Sequence, residues 1–336
     1  MSGMIWTLIA AALSFGVTAL SGKWMIPFLH KIHFGQTIRE EGPKWHMKKQ
    51  GTPTMGGFMF IIGIFLAILI CIPLYYAASD TGPETNLATV KIFGGALMAL
   101  AYGAIGFFDD YIKVVKKRNL GLTAPQKLVL QFIVAAAYLA SIAFAGGGDG
   151  TYIPFVGYVS LGWTYWVLAA LVIVGMVNAV NFTDGIDGLN ASVTFFAAAF
   201  LLMICGLRGM TGLGIFAAAL AGGCMGFLVW NFNPAKVFMG DTGSLFLGGA
   251  VCALAFGLEI PVLLLPVGII YICEILSVVL QVSYFKLTHG KRIFKMSPLH
   301  HHFEMCGWSE IKICFIFSIV TILGGILALV AVLYGF

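Results

Sequence analysis

Two adjacent aspartates, Asp109-Asp110, stand where a long apolar stretch ends, and Lys113 follows a helical turn later. On a helix Asp109 and Lys113 share a face, while Asp110 points about 100° away. A carboxylate next to lipid is unfavourable unless a cation or ligand accompanies it, so the pair suggests a divalent cation or a diphosphate held through one. The plainer reading is a solvated helix end leading into the basic run Lys116-Lys117-Arg118. A second group recurs at three-residue spacing: Asn178, Asn181, Asp184 and Asp187. If helical, the four share one face, although Gly185 and Gly188 suggest a break where backbone can approach a ligand. Amide side chains both donate and accept, as a uracil edge or sugar hydroxyls require. A capping cluster between helices would need one or two such residues, not four.

A third segment runs from Asn231 through Asp241 to Ser244. Asp241 precedes an apolar helix, so it is expected as an N-cap and, compatibly, as a metal ligand among helix-start amides that favour anions. Asn231 and Ser244 are the candidate substrate contacts beside it. The last group is Pro298-Leu299-His300-His301-His302-Phe303-Glu304. Consecutive histidines do not share a helix face, which favours phosphate contact or proton handling over three ligands to one metal. Glu274, Ser277 and Gln281 form a polar stripe in the preceding apolar stretch and are expected to face protein or a water-filled cleft, with Gln281 a candidate substrate contact. Gly51-Thr52-Pro53-Thr54-Met55-Gly56-Gly57, after Lys48-Lys49, is ordinary turn chemistry by itself. Beside the others, Lys49 and Thr52 are candidates to line a phosphate pocket.

The elements that must position these residues are membrane helices. Hydrophobic residues make up 60% of the 336 and charged residues 10%. Soluble domains carry roughly 25% charged residues, and no soluble core could hide so much apolar surface. Ten apolar spans of about 20 residues are expected, near 4–29, 55–77, 90–108, 123–145, 163–180, 189–206, 213–230, 243–258, 260–285 and 311–335. All five polar groups then fall in odd-numbered connections, on one side of the bilayer. All but two of the 19 Lys and Arg residues, Lys91 and Arg208, sit on that same side, whereas Asp80, Glu84 and Asp149 lie on the other. The bias of basic residues toward the cytoplasm makes the odd loops internal and both termini external. Met1-Ser2-Gly3-Met4 lacks a basic leader region, so the first apolar segment reads as a span and not a cleavable signal. Residues 151–161, β-branched and aromatic around Pro154 and Gly157, are expected as a short outer hairpin or a simple loop. The seven cysteines include no CxxC pair and read as small apolar fillers. The expected fold class is therefore an all-α polytopic membrane protein, residues 1–336 forming one integral membrane domain.

Taken together, the segments Lys49 to Gly57, Asp109 to Lys113, Asn181 to Gly188, Phe238 to Ser244 and Pro298 to Glu304 resemble the bacterial phospho-N-acetylmuramoyl-pentapeptide-transferase family, in order and nearly end to end. Phe182 and Ile186, where leucines are common, are conservative departures. The resemblance implies UDP-N-acetylmuramoyl-pentapeptide (UDP-MurNAc-pentapeptide) as donor, undecaprenyl phosphate as acceptor, UMP as leaving product and Mg²⁺ as cofactor. It also implies a homodimer of ten-helix chains in the bacterial plasma membrane, each with a cleft open to the cytoplasm; a nucleic-acid partner is not expected. By motif position Asp109 and Asp110 match the catalytic aspartate pair, and Asp241 the magnesium ligand. Asn181, Asp184 and Asp187 match residues around nucleotide and metal, with Asp184 a second candidate ligand. Lys49, Lys113 and Lys127 match basic groups near the phosphates, while His300 and His301 match the histidine motif, with His300 the catalytic candidate.

Phosphoryl transfer is mainly positioning and charge neutralisation. Direct attack by the lipid phosphate is the expected route, Asp109 orienting it or taking its residual proton; a phospho-aspartate intermediate is the other route the same residues allow. Two other functions stay open on sequence alone. One is a sister transferase that moves N-acetylglucosamine-1-phosphate onto a polyprenyl phosphate, against which the His-His-His-Phe-Glu segment weighs. The other is a transporter, which would place ionisable groups deep in several spans, where Glu274 is the principal candidate.

Overall fold

The computed structural model describes residues 3–31, 49–79, 86–116 and 120–335. Lys48, Asp80, Glu84, Lys117 and Arg118 of the groups above lie outside that set. Ten helices are long and apolar enough to cross a membrane. They are α1 (Gly3–Lys31), α2 (Gly57–Ala78), α3 (Asn86–Val115), α4 (Ala124–Phe144), α5 (Trp163–Thr183), α6 (Leu189–Leu207), α7 (Thr211–Asn231), α8 (Gly240–Gly257), α9 (Ile269–Leu287) and, after a short α10 (Leu299–Glu304), α11 (Glu310–Gly335). The chain is an all-α, multi-pass membrane protein, as its hydropathy requires.

Helix α8 is the hub, with 89% of its residues buried inside the protein, against 22% over the most apolar stretch of α1. Its sequence explains this: Gly243, Gly248, Gly249 and five alanine, cysteine and serine side chains keep it thin, so neighbours close in from every side. Helix α3 packs antiparallel to it. A Cβ on Gly106 would lie 2.1 Å from the carbonyl oxygen of Asp241, so only glycine lets α3 reach the start of α8. That contact brings the Asp109-Asp110 end of α3 against Asp241.

The ninth expected span, 260–285, is broken. A 3-10 turn (Pro261–Leu263) and one helical turn (Leu264–Val267) precede α9, which begins only at Ile269. Pro266 brings no backbone N–H to continue a helix, and Gly268 packs against the Leu264 carbonyl. The expected hairpin is present: β1 (Gly150–Ile153) pairs antiparallel with β2 (Gly157–Ser160), Tyr152 opposite Tyr158. It lies over the helix ends remote from Asp109-Asp110, the outer ends in the sidedness expected from the Lys and Arg distribution, where the Tyr152 amide donates to the Glu259 carbonyl at 3.0 Å and the Phe155 amide to the Gly335 carbonyl at 2.9 Å.

Candidate active site

At the opposite end of the bundle three carboxylates meet. Oxygens of Asp109, Asp110 and Asp241 all lie within 4.8 Å of one another. Asp110, 4% exposed, accepts hydrogen bonds from the backbone amides of Asp241 (3.2 Å) and Thr242 (2.9 Å) and from the Thr242 hydroxyl (2.8 Å). The amides at the start of α8 are therefore capped by a side chain from another helix. The N-cap role expected of Asp241 is taken by Asp110, which leaves the Asp241 carboxylate turned toward cations. Gly240 permits this: it has φ +71°, and a Cβ there would lie 2.6 Å from Asp110 Oδ2 and 2.8 Å from Thr54 Oγ1.

Two lysines answer the carboxylates. Lys113 Nζ, one turn past Asp109 on α3, contacts Asp109 at 2.5 Å, Asp241 at 2.9 Å and Asp110 at 3.9 Å. Lys127 comes from the first turn of α4, whose start is fixed by a capping box of Thr123 and Gln126 with Pro125 behind it. Its Nζ lies 3.1 Å from Asp241. Asn181, near the end of α5, donates to Asp241 Oδ1 (2.8 Å) and to the Ser244 hydroxyl (2.7 Å). The backbone amide of Leu122 donates to Asp109 at 2.8 Å.

A second polar group adjoins the first. Lys49 Nζ binds Asp187 at 2.7 Å and Glu310, the first residue of α11, at 2.6 Å. The other Asp187 oxygen accepts from the Asn233 side chain (3.1 Å) and the Ala235 amide (2.9 Å). Asp184 lies in the field of both groups and makes no side-chain hydrogen bond or ion pair among the described residues. Burial, then the charges of Asp241, Asp110 and Asp187, push its carboxyl well above the usual carboxylate range. Asp109, Asp110, Asp184 and Asp241 face Lys113 and Lys127, so the group would carry two uncompensated negative charges if all four carboxyls were ionised. That donor set, all hard oxygens, fits a divalent cation.

The four residues at three-residue spacing, expected to stack on one helix face, do not do so. Helix α5 ends at Thr183, so Asp184 and Asp187 belong to a turn that Gly185 and Gly188 shape. Asn178 turns away to α4, exchanging hydrogen bonds with Gln131 at 2.7 and 3.3 Å. Two further expected contacts serve the scaffold. Asn231 accepts from the Gly188 amide (3.1 Å) and donates to the Val237 carbonyl (2.9 Å). Gln281 accepts from the Ile293 and Phe294 amides and donates to the Phe294 carbonyl, clamping the loop after α9. Thr52 is half-buried, and its segment docks by backbone pairing: Phe238 N–H to Pro53 O, and Gly56 N–H to Phe238 O, both at 2.8 Å.

The histidines sit on α10. His300, 1% exposed, has Nδ1 3.1 Å from Glu274, which is itself fully buried in α9. His301 Nδ1 meets Glu304 at 2.7 Å, and His302 Nδ1 accepts from the Lys295 amide at 3.2 Å. A Cβ on Gly185 would touch His300 Nε2, so the histidine helix borders the Asp184 turn. Glu310, Asn233 and Gln131 were invisible as partners in the sequence. Only Glu310 carried a signal, as a lone acid opening an apolar span.

Fold and site together define a multi-pass membrane protein with an acidic, lysine-lined centre at one end of its helices. The description Glycosyl transferase family 4 matches residues 92–259, from the outer turns of α3 to just beyond α8. The chain is 46% identical to the phospho-N-acetylmuramoyl-pentapeptide-transferase of Clostridium perfringens over 93% of both chains. It is 45% identical to that of Heliobacterium modesticaldum over 97% of both, and 47% identical to that of Caldicellulosiruptor bescii over 96% of both. The chain belongs to the phospho-N-acetylmuramoyl-pentapeptide-transferase family.

Proposed function

We propose that the chain transfers phospho-N-acetylmuramoyl-pentapeptide from its UDP-activated donor to undecaprenyl phosphate, releasing UMP and forming the first lipid intermediate of peptidoglycan synthesis. The observation that carries this reading is the meeting of Asp109, Asp110 and Asp241 with Lys113 and Lys127 at the helix ends. A centre at the bundle end suits a reaction between one water-soluble and one lipid substrate, whereas a transporter would carry such groups at mid-membrane. By the distribution of Lys and Arg, that end faces the cytoplasm of the plasma membrane.

Asp109, Asp110 and Asp241 are the residues that would hold Mg²⁺, with Asp184 beside them. When bound, the ion supplies charge neutralisation for a diphosphate. Lys113 and Lys127 offset the remaining repulsion between donor and acceptor phosphates. The acceptor monoester, with a second pKa of about 6, is largely dianionic near pH 7, so it attacks the sugar-linked phosphorus of the donor with little help from a base. Asp109 orients it and takes any residual proton, and Asn181, Ser244 and the Lys49–Asp187 group bind the donor. The working unit is a homodimer.

The deciding experiment measures UMP release by purified protein in detergent. Release that needs undecaprenyl phosphate, Mg²⁺ and the muramoyl-pentapeptide donor, with UDP-N-acetylglucosamine inert, supports the reading. Release from UDP-N-acetylglucosamine at a comparable rate moves the chain to the sister activity. A labelled phospho-enzyme trapped with donor alone overturns the one-step route.

A further inference from the structure

Glu274 is a carboxylate with no exposure, inside a membrane helix, and among the described residues its carboxylate meets one polar partner, His300. Its Oε1 accepts from the His300 backbone amide at 3.2 Å, and its Oε2 lies 3.1 Å from His300 Nδ1. The ring approach is off the hydrogen-bond direction, so Oε2, Nδ1 and Nε2 remain among the buried polar atoms without a hydrogen bond. Ser277 does not relieve this, because its hydroxyl donates to the Glu274 main-chain carbonyl. A buried, unshared carboxylate is costly unless N–H groups face it, and a buried imidazole nitrogen with no partner is rare.

The neighbours of the ring settle which way it faces. His301 packs against one side, ring centroids 4.2 Å apart, and holds its own Nδ1 to Glu304. On the Nε2 side lies Gly185, between Asp184 and the rest of the turn; a Cβ there would come within 2.0 Å of Nε2. Of the two ring nitrogens it is Nδ1 that has a carboxylate oxygen 3.1 Å away, so the charge of Glu274 favours the proton there and leaves Nε2 bare.

We propose that Glu274 is a positioning residue that fixes His300 as the Nδ1–H tautomer, so that its ring, with Nε2 seated against Gly185, holds the turn that carries Asp184 and Asp187 toward the bound sugar-peptide donor. The inference rests on the function proposed above and adds one residue, 26 positions from the histidine it controls. Glutamine tests it because it offers one acceptor where two N–H groups need one each. Aspartate keeps both acceptors on a shorter arm.

The experiment combines turnover in detergent, thermal unfolding and ¹⁵N NMR of histidine-labelled protein, the His300 signals being assigned by their loss in His300→Ala. In wild type, Nδ1 is expected protonated and Nε2 bare. Glu274→Gln is expected to lower kcat about 10- to 100-fold and to shift His300 toward the other tautomer. Glu274→Asp is expected to recover part of both losses. Gly185→Ala, whose methyl meets the ring, should lose activity with the Glu274 carboxylate intact. The proposal is overturned if wild-type His300 is protonated on Nε2, or if Glu274→Gln folds, turns over normally and leaves the spectrum unchanged while His300→Ala is inactive. Near-normal turnover by His300→Ala would instead remove His300 from the reaction, a separate failure of the proposed function.

Discussion

The two ends of the α3–α8 pair are built from the same residue types and do different things with them. At the outer end Lys91, in a π-helical turn of α3 (Val90–Gly94), meets Glu259, just past α8, at 2.8 Å. One cation faces one anion, the hairpin hydrogen-bonds to the Glu259 backbone, and Arg208 lies over the Tyr152 ring at 5.5 Å. At the inner end Lys113 and Lys127 face Asp109, Asp110 and Asp241, with Asp184 nearby. Among the described residues the Lys91–Glu259 pair is balanced, whereas the inner cluster has more carboxyls than lysines and would hold a cation. Charge at a helix end is thus structural or functional according to whether its count is satisfied within the protein.

Breaking the inner end should have the largest consequence. Asp241→Asn keeps the shape but removes the charge both lysines meet, and turnover should fall on the order of 10³-fold with the melting temperature in detergent little changed. A near-normal rate would remove Asp241 from the centre. The lysines sharpen the contrast, because Lys113 touches all three carboxylates and Lys127 only Asp241. Lys113→Met should therefore cost on the order of 10²-fold and Lys127→Met about tenfold, measured as kcat/KM for the donor. The reverse ranking would show that distance to Asp241 is not what sets their role.

The ten spans and the grouping of motifs on one side were legible because both follow from hydropathy and the distribution of Lys and Arg, which act over whole segments. What sequence could not supply was pairing across distance. Glu310 joins Lys49 and Asp187 from more than 120 residues away, and Asp110 caps a helix that starts 130 residues later. Spacing also misled where the chain stops being helical. Asn181 and Asp184 are one turn apart by count, yet α5 ends between them, and Asn178 spends its amide on Gln131. The split before α9 was hidden because Pro261, Pro266 and Gly268 lie in a stretch whose mean hydropathy stays high.

Asp184 sharpens the comparison through pH. Its folded-state carboxyl titrates above the unfolded value, near 3.9, so the native protein holds that proton more tightly. Stability contributed by the protonated form is lost as pH rises from the unfolded value through the folded one. Asp184→Asn should flatten that slope and raise the metal-free melting temperature by a few degrees at neutral pH, while turnover falls. Melting curves from pH 4 to 8 with and without Mg²⁺ check this. A variant less stable than wild type at pH 7.5 would mean the Asp184 charge is compensated within the protein, as at the outer end.

The smallest effects belong to the outer pair, and they differ by partner. Lys91 is 8% exposed at its side chain and Glu259 37%. Removing Glu259 strands a buried ammonium, whereas removing Lys91 leaves a carboxylate that water can reach. Glu259→Gln should therefore destabilise more than Lys91→Met, by about 1 kcal/mol against a few tenths once solvent screening of the exposed partner is counted. Both variants should keep turnover within about twofold, since the loss of one half-buried ion pair far from the inner carboxylates shifts little beyond its own surroundings. Thermal unfolding in detergent gives the order, and UMP release gives the rate. A tenfold loss of rate in either variant, with the fold intact, would mean that strain at the hairpin end travels along α3 to Asp109, and the two ends of the pair would then work as one device.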